Sequence, residues 1–298
     1  MSYSLEFHFK PAVARDRVLR YFGPRKRFRF TKDDVLFYEH QDTGAYFFVR
    51  LRCARDILLR KNVVSVEFEV NYNRPIFFGI EAEKELSEFV LTFQPRIEDP
   101  QMYGMGEGPY TREAFLKAWN FGNLFAVRNR LSNPDGAILS MSGDALHAAW
   151  DWNYQRELRD RLNHRCTVPK IMFGRVAGSP SSFVIWPQGD PILLPKVDYV
   201  LIARIVVGEP QFGLAPWSEV LEIVRCAGFD TMQDPLKLDY GAAPPSIANW
   251  VDTIPPIDRD AFKRERLEPY QILDDKVIAA ARESIERSPG DLWIAPDV

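Results

Sequence analysis

The stretch Val63-Val64-Ser65-Val66-Glu67-Phe68-Glu69-Val70-Asn71-Tyr72-Asn73-Arg74-Pro75-Ile76-Phe77-Phe78-Gly79-Ile80-Glu81-Ala82-Glu83-Lys84-Glu85-Leu86 carries two periodicities back to back. In its first half Val64, Val66, Phe68, Val70 and Tyr72 alternate with Ser65, Glu67, Glu69 and Asn71. A period of two marks a half-buried strand, with one side on a core and the other on water or a partner. Pro75 breaks the strand, and a helix is expected after Gly79. That helix turns Ala82, Leu86, Phe89, Val90 and Phe93 inward. It sets Glu81, Glu85 and Glu88 on another face, at spacings of four and three. One element feeds a sheet; the next covers it and is expected to show acid outward.

Working outward, the N-terminal side supplies more strands. Tyr3 to Lys10 alternates apolar and polar residues. Pro11 is expected to open a helix to about Tyr21, which Gly23-Pro24 stops. Val35 to Glu39 and Tyr46 to Arg52 read as a hairpin around Gln41-Asp42-Thr43-Gly44. With Val63 to Tyr72 this makes a sheet of four or five strands, antiparallel because the links are short. On the C-terminal side, Thr111 is placed to cap a long helix to about Leu131, with Phe115, Trp119, Gly122 and Ala126 along one stripe. Asn133-Pro134-Asp135-Gly136 ends it and marks a boundary. Asp144 is expected to cap a helix to about Asn163. Strands follow at Lys170 to Arg175, Ser182 to Trp186, Pro191 to Leu194 and Tyr199 to Val207. A helix runs from about Trp217 to Cys226, and a last one from Asp274 to Arg287. Residues 230–271, rich in Pro and Asp, are expected to be mostly irregular. The fold expected is α+β, with mostly antiparallel sheets covered by helices in two lobes of similar size, 1–135 and 136–298.

Composition narrows the class of function. The chain has 298 residues, 46% of them hydrophobic, which suits a large core and not a disordered chain. A net charge of −3 gives no overall pull toward nucleic acid or an anionic membrane. Charge is nonetheless segregated: roughly seven positive in excess over 1–61, roughly six negative over 62–115, and roughly eight negative over the last ninety. Cys53, Cys166 and Cys226 are odd in number and far apart, so three small buried thiols are expected. The first residues lack the basic start and apolar run of a signal peptide, and no apolar run is long enough to span a bilayer. A cytoplasmic protein, without membrane attachment, is the expectation.

The motifs for chemistry fail one by one. Gly104-x-Gly106-x-Gly108 has the wrong spacing for a dinucleotide turn, loses an amide at Pro109, and places Glu107 where phosphate would sit. His8, His40, His147 and His164 are not at metal-ligand spacings, and no GxSxG elbow occurs. Neither a cofactor nor a bound metal is expected. The basic run Arg25-Lys26-Arg27-Phe28-Arg29-Phe30 has the aromatic interleaving of a nucleic-acid binder. It also fits an amphipathic strand whose arginines balance nearby carboxylates, and no nucleic-acid partner is assigned. Carboxylates remain: Glu98, Asp99, Glu107 and Glu113 follow the acidic helix. Such groups serve as general acid and base or hold a divalent ion, but they equally form a solvated loop or a protein-binding surface.

Several segments taken together carry a resemblance. They are Asn71 to Pro75 with Phe78 to Glu83, Asp99-Pro100-Gln101 with Gly104-Met105, and Trp119-Asn120 with Gly122-Asn123. Val184-Ile185-Trp186-Pro187 followed by Leu193 to Asp198 adds to them. The chain resembles bacterial immunity proteins that neutralise polymorphic or type VI secretion toxins, including those paired with restriction-endonuclease-like nucleases. The resemblance implies an α+β protein without catalysis that binds one cognate toxin. A nuclease cleft is basic, so an inhibitor of that kind needs clustered acid. Glu81, Glu85, Glu88, Glu98, Asp99 and Glu107 are the residues expected to supply it. A carboxylate-based, metal-assisted hydrolase is the alternative.

Overall fold

Strands and helices follow one another along the whole chain in the computed structural model, which describes residues 1–31, 34–55, 59–101, 104–106, 108–133 and 138–287. The order is β1 (Ser2–Ala14), α1 (Arg15–Phe22), β2 (Phe28–Phe30), β3 (Val35–Glu39), β4 (Tyr46–Arg55), β5 (Lys61–Asn71), α2 (Phe77–Phe93), β6 (Arg96–Glu98), α3 (Arg112–Leu131) and β7 (Leu139–Met141). Then come α4 (Gly143–Tyr154), α5 (Arg156–Leu162), β8 (Met172–Val176), β9 (Ser179–Pro187), β10 (Ile192–Leu194), β11 (Tyr199–Val206), β12 (Glu209–Pro216), α6 (Trp217–Cys226), β13 (Leu236–Leu238) and α7 (Pro245–Thr253). The chain continues with α8 (Arg259–Arg264), β14 (Arg266–Leu267), a 3-10 turn at Pro269–Gln271, β15 (Ile272–Asp274) and α9 (Asp275–Arg287). The class is α+β.

Two units divide the chain: Met1–Gly143 with the stretch from Leu273 onward, and Asp144–Ile272. The division thus falls eight residues later than 135/136, and the last helix returns to the first unit. Its apolar stripe explains the return. Ile278 and Ala281 of α9 share one buried cluster with Leu124 and Val127 of α3 and with Leu273, while β15 pairs with β7. Of the boundary tetrapeptide, Asn133 follows α3, and Pro134, Asp135 and Gly136 lie outside the described residues.

In the first unit the sheet runs β2-β3-β4-β5-β1-β6, antiparallel at every pairing. Period-two alternation sends Tyr3, Leu5 and Phe7 of β1, Leu36 and Tyr38 of β3, Phe47 and Val49 of β4, and Val66, Phe68 and Val70 of β5 into the core. Burying each such ring or aliphatic side chain contributes about 2 kcal/mol. The rings interlock: Tyr38 stacks on Phe47 at 4.2 Å, and Phe7 meets Phe89 of α2 edge-on at 5.6 Å. Three details depart from the expected pattern. The pairing slips at Val64, so Val63 is buried and Val64 is exposed; a bulge adds one residue and inverts the alternation beyond it. β1 runs on past Pro11, because Val13 and Ala14 resume pairing with Val63 and Asn62, and α1 starts only at Arg15. β6, flanked by two prolines, adds a sixth strand through pairing with Glu6, Phe7 and His8. The cap at Thr111 is as expected, its hydroxyl accepting the Ala114 amide at 3.1 Å.

In the second unit the sheet runs β12-β11-β9-β8-β14. β9 and β11 are parallel and the other pairings antiparallel. Asn153 of α4 bridges the amide and carbonyl of Ile171, each at 2.9 Å, which fixes α4 beside the segment entering β8. The helix expected from Asp144 to Asn163 is broken at Gln155 into α4 and α5. Residues 230–271 are irregular over only about half their length: β13, α7, α8, β14 and the 3-10 turn lie within them. Buried Arg204 shows how α7 is held, donating to the carbonyls of Val251 and Ile254 at its C-terminal end. Of the cysteines only Cys166 is buried; Cys53 is half-buried, Cys226 exposed, and all three thiols are free. Among the described residues no helix is long and apolar enough to cross a membrane.

Candidate interaction surface

The acids of α2 do not form an outward face. The helix packs on β4 and β5 and also on α3, so two of its sides are covered. Gly79 is where α3 comes closest: a Cβ there would sit 2.7 Å from the Trp119 ring. Glu81 is consequently fully buried, and Tyr38 Oη donates to its carboxylate at 2.8 Å. Glu83, also buried, faces Tyr110 Oη at 3.5 Å and Arg112 at 3.6 Å. Glu85 and Glu88 share Arg25, at 2.8 and 2.6 Å. Of the helix acids expected at the surface, only Glu88 is well exposed, at 61%. Burial raises the Glu85 carboxyl above its usual range, with the Arg25 charge opposing. Burial, then the Glu81 charge, raises the Tyr38 phenol and keeps it a donor.

Asp99 is likewise an internal group. Its carboxylate accepts Tyr3 Oη at 2.7 Å, the Gln101 amide at 2.9 Å and the Met105 amide at 2.6 Å. A Cβ on Gly104 would overlap that carboxylate, so this glycine belongs to the turn and not to a phosphate loop. Glu98 is half exposed on β6. Glu107 lies outside the described residues. The basic run is spent within the fold as well: Arg25 on Glu85 and Glu88, and Arg29 on Glu39.

The patterned surface is the other face of the N-terminal sheet. Strand register sets its side chains in three rows. One row runs Arg29, Phe37, Phe48, Glu69 and Ser4 across β2, β3, β4, β5 and β1. The next runs Val35, Arg50, Glu67, Glu6 and Glu98, ending on β6. The third runs Arg52, Ser65, His8 and Arg96. The first row is mixed, with Phe37 and Phe48 side by side; the second ends in three glutamates beside Arg50; the third carries Arg52 and Arg96. Phe37 and Phe48 lie 5.1 Å apart and are only part-buried. Glu67 is held by Arg50 at 2.9 Å and Arg52 at 2.8 Å. His8 Nε2 lies 3.5 Å from Glu6 and 3.2 Å from Glu98, contacts that become ion pairs when the imidazole is protonated. Three glutamates directly opposite one another across β5, β1 and β6 work against sheet stability.

Sequence reasoning placed Glu67 and Glu69 on this wet side and Glu98 in a binding surface, but missed Phe37, Phe48, Glu6 and His8 as their neighbours. The alternation of β1 and β4 assigns each to a face; only the register brings them together. Among the described residues no group of three His, Cys, Asp or Glu side chains is placed to hold a metal ion. What fold and surface define is an α+β protein with one patterned sheet face. No family model, no curated protein and no solved structure matches the chain.

Proposed function

We propose that this chain works by binding another protein through the outer face of its N-terminal sheet, and that the partner is a cognate antibacterial toxin which it neutralises. The observation that carries the binding part is the row pattern. Cross-strand pairs such as Phe37–Phe48 and Arg50–Glu67 add modestly to folding, but the aligned glutamates oppose it, and folding alone does not call for them. The same arrangement suits recognition, where aromatic and arginine anchors supply affinity and alternating charge fixes register and rejects wrong partners. The toxin as partner rests on the resemblance of segments within 63–130 and 170–207 to immunity proteins. The contact surface differs from a simple acidic plug: Glu98 joins it, and Glu81 and Asp99 serve the interior.

Co-expression with the product of the adjacent gene tests both parts, scored by growth and by co-purification. The expected result is rescue with a stable complex. The double variant Phe37→Thr, Phe48→Thr adds no charge to the row and is then expected to lower affinity at least tenfold while costing about 1 kcal/mol of stability, since neither ring is in the core. A complex that tolerates both substitutions removes this face from the interface, and growth arrest unrelieved by co-expression removes the toxin.

A further inference from the structure

The second unit holds a cleft of about 180 Å³ on the face of its sheet opposite Val184, Trp186 and Val200. Its floor is apolar: Phe183 and Ile185 of β9, Leu201 of β11 and Phe212 of β12. Phe262 of α8 walls it, meeting Phe183 edge-on at 5.1 Å. Met172 and Ile257 add to the apolar lining, and three cations join it, Arg259 and Lys263 from α8 and Arg266 from β14; no carboxylate takes part among the described residues. Arg259 and Lys263 are four apart, hence on one side of the helix. The Arg259 guanidinium is held over the Phe212 ring at 5.6 Å. Asp260, 79% exposed, lies 3.9 Å from Lys263 and offsets that charge in part, while Glu265 lies 3.8 Å from Arg175, outside the lining.

Size and charge together select the occupant. An apolar cavity of about 150 Å³ accepts a benzene ring, so this cleft takes one ring and not a run of side chains. Its basic rim, beside an apolar floor, complements a single anionic group attached to that ring. We propose that the cleft binds a free arylalkyl carboxylate, with the ring against Phe183, Ile185 and Leu201 and the carboxylate between Arg259, Lys263 and Arg266. This is independent of the toxin-binding reading, which concerns the first unit.

Calorimetric titration of the full chain with 3-phenylpropanoate tests it, with 3-phenylpropanamide as the uncharged control. Saturable binding of the acid is expected, with the amide at least tenfold weaker. The variant Arg259→Glu, Lys263→Glu changes exposed residues only and is expected to remove that tenfold preference. Leu201→Trp fills the floor and is expected to abolish binding of both; a circular-dichroism melt establishes that it is folded, and binding retained in the folded variant overturns the location. Equal binding of acid and amide, or no saturation by either, overturns the proposal. So does binding only of a peptide ending in phenylalanine.

Discussion

Two sets of glutamates stand close together in the chain and meet opposite fates. Glu67 and Glu69 on β5 point to water, while Glu81 and Glu83 on α2 are enclosed. A strand has two faces, and burying one settles where the other points. A helix has a full circumference, and how much is covered depends on how many neighbours it has. α2 has the sheet on one side and α3 on another. Glu81 and Glu83 are therefore inside, each facing a tyrosine from a distant segment: Tyr38 for Glu81 and Tyr110 for Glu83. Charge on a helix is a guide to its surface only when the helix has a single neighbour.

Charge reversal separates the two sets most strongly. Glu81→Lys places an ammonium in a fully enclosed site and leaves the Tyr38 hydroxyl without that acceptor. A loss of about 4 kcal/mol is expected, enough to unfold much of a marginally stable protein. Urea titration followed by tryptophan fluorescence measures it. The same reversal at Glu69 is expected to change stability by less than about 0.5 kcal/mol. A mild effect at Glu81 breaks the comparison. It also follows that a lysine at Glu81 tests folding and not binding, so it has no place in an interface scan.

A gentler change sharpens the same point. Tyr38→Phe keeps the ring stacked on Phe47 and removes only the hydroxyl. Hydrogen bonds to a buried carboxylate contribute about 2 kcal/mol, and a loss of that order in chemical denaturation is expected. Glu85 adds a pH signature. Its carboxyl is raised in the folded state, chiefly by burial. Its contribution to stability is therefore present below the unfolded value near 4.5 and lost as pH rises through the folded one. The stability advantage of the native chain over Glu85→Gln is expected to shrink as pH rises above about 4.5.

Asp34 has the opposite sign. Hydrogen bonds from Lys61 and Arg15 lower its carboxyl, despite some desolvation. Its contribution is present above the unfolded value near 3.8 and lost as pH falls through the lower folded one. Asp34→Asn retains a residue type that tolerates the positive φ of 59° at this position. A loss of about 1 kcal/mol at neutral pH is expected, closing as pH falls below about 3.8. Denaturation across that range checks it, and a pH-independent difference contradicts the ion-pair account.

The contrast also shows what a single sequence discloses. Alternation in Tyr3 to Lys10, Val35 to Glu39 and Val66 to Val70 made the strands and their buried sides legible, and Thr111 announced α3. What stayed hidden depends on distant partners. Nothing near Glu81 points to Tyr38, forty-three residues away. β6 is three residues between prolines, too short for a periodicity, and exists because β1 offers an edge. α8 and β14 sit in a Pro- and Asp-rich stretch whose composition imitates a loop. The sheet face was half legible, since alternation assigns each residue to a side but leaves the alignment of neighbouring strands unset. A slip of two residues in β1 would put Glu6 opposite Ser65 or Glu69 in place of Glu67.

That alignment gives the smallest and most discriminating effect. Glu6 stands opposite Glu67 on one side and Glu98 on the other, an arrangement that repulsion disfavours. Glu6→Lys exchanges two like-charge contacts for two opposite ones, set against a new repulsion from His8 when the imidazole is protonated. A gain of about 0.5 kcal/mol is expected in chemical denaturation. If the face exists to meet a partner, the same variant binds that partner more weakly while melting higher. A variant both more stable and fully competent in binding means that the acidic row is not a contact. One that is less stable means that the row is not repulsive, and the charge pattern then loses its standing as evidence for binding.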